Sequence, residues 1–79
     1  MDYDHNKVDQ MVLALLTLTM FGDGPAVRAW KGHDWDVLDR LHAKGYISDP
    51  KSKSKSVVLS DEGVRLAKEL FEQHFGVKG

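Results

Sequence analysis

The chain has 79 residues, with 11 basic and 12 acidic side chains, a net charge of −1 and no cysteine. That length has room for one domain, residues 1–79. The lack of cysteine excludes disulfides and thiolate-held zinc, and the near-balanced charge gives no general pull toward nucleic acid or anionic membrane. Residues 1–40 nevertheless carry a net −3 and residues 41–79 a net +2, so any affinity for phosphate is expected from the second half.

A first helix is expected from about Lys7 to Phe21, capped by Asp4 or Asn6. Val8, Met11, Val12, Leu15 and Leu18 form a stripe at helical spacing, and Leu13, Leu16 and Met20 widen it to most of the circumference. A helix apolar nearly all round is buried nearly all round. So small a domain can hardly enclose it alone, so Met11, Leu15 and Leu18 are expected to pack on a second subunit as a homodimer. The apolar run Met11–Phe21 is eleven residues long, against roughly 20 for a membrane span. Asp2, Asp4 and Asp9 oppose the single Lys7, the reverse of a signal-peptide charge pattern. The expected location is cytoplasmic.

Gly22-Asp23-Gly24-Pro25 reads as a stop, with Pro25 well placed to open a short second helix, Pro25–Lys31. Gly32 is expected to end that helix in the left-handed region. Asp34 caps a third helix, Trp35–Lys44, with Trp35, Leu38, Leu41 and His42 along one face. Gly45 follows as the terminating glycine and Tyr46 as its hydrophobic closing contact. Tyr46-Ile47-Ser48 reads as a strand, Asp49-Pro50 as a turn, and Val57-Val58-Leu59 as a second strand. Between them Lys and Ser alternate from Lys51 to Ser56, a flexible polar hairpin tip. Ser60 caps the last helix, whose first turn holds Asp61 and Glu62. Val64, Ala67, Leu70, Phe71 and Phe75 recur along it at helical spacing.

This order predicts an α+β, mostly α fold of the winged helix-turn-helix type: three helices, a two-stranded wing hairpin and a C-terminal helix. The segment Leu38-Asp39-Arg40-Leu41-His42-Ala43-Lys44-Gly45-Tyr46-Ile47, the basic tip, and Val57-Val58-Leu59-Ser60-Asp61-Glu62-Gly63 are similar to winged-helix bacterial regulators of the MarR and PadR groups. The similarity covers about residues 35–70 and implies a recognition helix leading into a wing. The whole chain, through Arg28-Ala29-Trp30-Lys31-Gly32-His33-Asp34-Trp35 and the residues up to His42, also resembles a family of short bacterial proteins known as a domain of unknown function. That resemblance implies a bacterial source and no activity. One departure counts against groove binding. The third helix carries Asp34, Asp36 and Asp39 against Arg40 and Lys44, and carboxylates are repelled by a phosphate-lined groove.

The strongest candidate for contact with an anionic partner is the Lys51, Lys53, Lys55 tip. Alternate residues of an extended strand share a face, and Ser52 and Ser54 can add hydrogen bonds to phosphate. The competing reading is a solvated tip whose lysines discourage edge pairing. Arg40 and Lys44 from the third helix, and Arg28 and Lys31 from the second, are the supporting cations. Trp30 and Trp35 read as a core pair pinning two helices, with base stacking the alternative. His33, Asp34, Asp36 and His42 match no metal-ligand spacing, so neither metal nor cofactor is expected. Ser60 is committed to capping and has no nucleophile turn around it, so the chain is not expected to be an enzyme. His5 and His74 are expected to face solvent, with the edge of the core the alternative for His74, four residues after Leu70. Two functional classes remain: a DNA-binding, regulatory module acting through the wing, and a protein–protein adaptor on the same fold without nucleic-acid binding.

Overall fold

The computed structural model describes residues 1–22 and 27–77. Helix α1 spans His5–Leu16 and continues through a 3-10 turn, Thr17–Thr19, into strand β1, Met20–Phe21. Strand β2 is Val27–Trp30, helix α2 Trp35–Ala43, strand β3 Ser56–Leu59 and helix α3 Asp61–Phe75. The strands form one antiparallel sheet in the order β1-β2-β3. Helix α1 packs against α3 and α2, and Leu13, Leu16, Ala29, Leu38, Leu41, Val57 and Ala67 fill the space between helices and sheet. Among the described residues the fold is thus α+β, with three helices and three strands.

Each helix begins where the sequence places a capping side chain. Asp4 accepts from the Lys7 amide, Asp34 from Val37 and Ser60 from Gly63, satisfying amides left without helical partners. Helix α2 ends at Gly45 with φ +81°. There the Gly45 amide donates to the His42 carbonyl and the Tyr46 amide to Leu41, the two bonds of a Schellman motif.

Several expectations give way. The stretch read as a second helix is strand β2 over Val27–Trp30. Asp23–Ala26, including the Pro25 helix start, lie outside the described residues. Gly32 does not adopt the left-handed conformation, because there is no helix for it to end. Val27 and Ala29 alternate with Arg28 and Trp30, and pairing on both edges holds the segment extended: Ala29 sits opposite Met20 and Val57, Arg28 opposite Phe21 and Val58. Two ladders satisfy more backbone groups than an isolated turn of helix could. Without that helix, no helix-turn-helix unit is seen among the described residues.

The first helix is also shorter than expected, its final residues passing into the 3-10 turn and β1. Its buried side is Asp9, Leu13, Ala14 and Leu16. Met11 is half-buried, while Leu15 and Leu18 face solvent, Leu18 at 68% exposure. Finally, the expected strand Tyr46–Ser48 is reduced to one bridge, Ile47 opposite Leu59. The Ser48 amide donates to the Val58 carbonyl, but the Val58 amide donates to the Ser48 hydroxyl instead of the Ser48 carbonyl, so a side chain intercepts the next rung.

Candidate nucleic-acid interface

Alternation along the strands sorts the sheet into two faces. Met20, Ala29, Val57 and Leu59 point into the core. Phe21, Arg28, Trp30, Ser56 and Val58 occupy the other face. There the Phe21 and Trp30 rings stack with centroids 4.9 Å apart at an interplanar angle of 29°. Trp30 is 52% exposed, so the pair forms an aromatic platform open to solvent. The core reading of the two tryptophans is therefore corrected. Trp35 is exposed as well, at 55%, and the core position on α2 is taken by Val37 together with Leu38 and Leu41. His42, read on the core face, is exposed.

Arg28 lies beside this platform and is tied to the lysine segment. Its Nε donates to the Ser56 hydroxyl at 2.8 Å, and its Nη2 donates to the Ser54 hydroxyl at 3.0 Å. Lys31 reaches under the tip, donating from Nζ to the carbonyls of Pro50 and Ser52, each at 2.7 Å. Its ammonium also lies 5.9 Å from the centre of the Trp35 ring, within cation–π range. Asp49 accepts from the Lys51 amide, and Pro50 is fully buried. The tip is thus fastened to the body through Lys31, Arg28 and Pro50, not simply an untethered polar loop. Lys51, Lys53 and Lys55 remain exposed on it.

Arg40 and Lys44 are deployed elsewhere. The Asp9 carboxylate is buried at 1% exposure between α1 and α2. Arg40 grips it with Nε at 2.8 and 3.0 Å and Nη2 at 2.8 Å, and Lys44 Nζ stands 3.3 Å away. Burial pushes the Asp9 carboxyl upward, but the Arg40 and Lys44 hydrogen bonds and charges outweigh it and hold the group below its ordinary value of 3.8. The partner effect on Arg40 is the opposite one, raising it. Of the seven cations expected to meet phosphate, three stand exposed on the tip, two brace it, and two neutralise a buried acid. The sequence reading missed Asp9. Its spacing with Leu13 and Leu16, and that of Arg40 with Lys44 four residues apart, carry the signal that two helix faces meet through opposite charges.

Asp34 is engaged as a cap and Ser60 both caps α3 and donates to the Gly45 carbonyl. Among the described residues, no group of three or more His, Asp or Glu side chains converges as a metal site. His5 and His74 are exposed. No helix among the described residues is long and apolar enough to cross a membrane.

A family model described as Domain of unknown function (DUF6429) matches residues 4–77. The chain belongs to that family. It is also 52% identical over 75 residues to "Uncharacterized protein y4hR" of Sinorhizobium fredii (strain NBRC 101917 / NGR234), covering 95% of this chain and 97% of that protein. The whole-chain resemblance to short bacterial proteins of unknown function is thereby established. No solved structure matches the chain.

Proposed function

We propose that this member of the family is a nucleic-acid-binding module. It contacts single-stranded segments through the Phe21–Trp30 platform and the lysine tip. The observation that carries this reading is an exposed aromatic stack on a sheet face that also holds Arg28 and leads into Lys51, Lys53 and Lys55. Aromatic rings accept unstacked bases of any sequence, while nearby cations follow the backbone. Insertion of α2 into a duplex groove, the winged-helix mode of a transcription regulator, has less behind it. Asp36 and Asp39 are exposed on that helix, and its Arg40 and Lys44 already serve Asp9. The lysine tip keeps its place in this reading, as the partner of the sheet platform.

The test is fluorescence anisotropy at low salt with a labelled single strand of about twelve nucleotides, within the range one small domain covers, and with its duplex. The single strand is expected to bind more tightly. Replacing Lys51, Lys53 and Lys55 together by Gln lowers affinity at least about tenfold, and Trp30→Ala costs about 1–3 kcal/mol, one stacked base. Absence of binding at low salt, or binding indifferent to both variants, overturns the reading.

A second reading, a homodimer or protein adaptor, rests on the exposure of Leu15 and Leu18 within an apolar segment, with half-buried Met11 on the same helix. Sedimentation equilibrium tests the dimer form: association weakened by Leu18→Glu supports it, and a monomer at every concentration removes it.

A further inference from the structure

A second candidate site lies away from the sheet's outer face, in a cleft of about 240 Å³ lined by residues of α1, α2 and α3 and by Tyr46. Leu13, Leu41 and Leu66 give it an apolar side, and Asn6, Gln10, Asp9 and Lys44 a polar one. Arg40 does not line the cleft, but its Nε and Nη2 donate to both oxygens of Asp9. One carboxylate is thus shared by two cations. Arg40 takes it at 2.8 Å, whereas Lys44 holds only long contacts, 3.3 Å to Asp9 and 3.4 Å to Oδ1 of the Asn6 side chain. An ammonium has three donors, so Lys44 retains capacity and its charge is only partly offset. Asp36, one turn before Arg40, adds negative charge but does not line the cleft.

A cationic nitrogen on the polar side of a cleft whose other side is apolar matches a ligand with an anionic end and an apolar body. The size limits it further: the cleft holds the volume share of about eight waters, below the usual range for drug-sized ligands. We propose that this cleft binds a small monocarboxylate of about eight to ten non-hydrogen atoms in all, with a compact apolar body. The carboxylate meets Lys44 Nζ and the Asn6 and Gln10 amides, and the body lies against Leu13, Leu41 and Leu66. Binding would draw Lys44 away from Asp9 without unpairing it, because Arg40 keeps both oxygens.

The test is a two-dimensional ¹H–¹⁵N NMR titration with benzoate at constant ionic strength, with benzamide as the uncharged comparison. The expected result is saturable shifts at Asn6, Gln10, Lys44 and Tyr46 for benzoate, with affinity for benzamide at least tenfold weaker. Lys44→Gln leaves the Asp9–Arg40 pair in place and is expected to weaken benzoate at least tenfold. Gln10→Phe, at an exposed rim position, is expected to block the cleft in a protein that stays folded. Shifts that do not saturate, equal affinity for benzamide, or indifference to both variants overturns the proposal. The single-strand measurement uses other residues, so either proposal can fail alone.

Discussion

Asp9 occupies a position on α1 that helical spacing assigns to the core, in line with Leu13 and Leu16. A carboxylate taken out of water there destabilises the fold unless its oxygens are met, and Arg40 and Lys44 meet them. Because its folded pKa lies below the ordinary 3.8, the Asp9 contribution is fully present above the unfolded value. It is lost as pH falls through the folded one. Asp9→Asn is therefore expected to lower stability by about 1–3 kcal/mol near neutral pH, the cost of an impaired buried hydrogen-bonded group. Urea melts of both proteins between about pH 5 and pH 2 check the sign: the two stabilities converge toward the acid end. A difference that stays constant would show that packing, not ionisation, governs the position. The caps Asp4, Asp34 and Ser60 were legible from sequence because each acts within three residues of its partner. Asp9 was not, because its partners are 31 and 35 positions away.

The same contrast appears among the elements. Helices α2 and α3 were readable from caps, periodicity and the Gly45 stop, all local signals. Strand β2 was not, since its conformation is decided by β1 and by β3, the latter almost thirty residues further on. The glycine, proline and charged residues around it point equally well to a short helix. Trp30 escapes the core for the same reason: the strand turns it outward, onto Phe21, and leaves the core to Ala29, whereas Trp35 opens α2 exposed and leaves the core to Val37, Leu38 and Leu41. How closely the elements dock is seen at Gly63, in the first turn of α3. A Cβ there would lie inside contact distance of the Tyr46 carbonyl oxygen. That carbonyl also accepts the Ser60 amide, so backbone on both sides is fixed. Gly63→Ala is expected to cost about 1–3 kcal/mol through overpacking, despite alanine's better helix propensity. Thermal denaturation measures it. A variant as stable as the parent would mean that α3 can shift away from Tyr46.

For the molecule as a whole, the net charge says little about binding and the distribution of free cations says more. Seven Lys and Arg side chains stood as phosphate contacts by position in the sequence, but folding commits Arg40 and Lys44 to Asp9 and Lys31 to two carbonyls. That leaves Lys51, Lys53 and Lys55 on the tip, with Arg28 held by Ser54 and Ser56 beside it. Counterion release converts that count into a slope. Three phosphates neutralised on a single strand give a decline in log affinity of about 2 per decade of salt. Engagement of all seven cations gives about 5. Anisotropy titrations across a salt series therefore separate the geometries. A shallow slope that flattens when the three tip lysines become Gln supports the tip-and-platform interface. A steep slope that survives those substitutions would mean that Arg40 and Lys44 leave Asp9 to reach the nucleic acid. In that case the complex of the Asp9→Asn protein is expected to melt no lower than that of the parent, because the parent would hold a buried carboxylate without its cations.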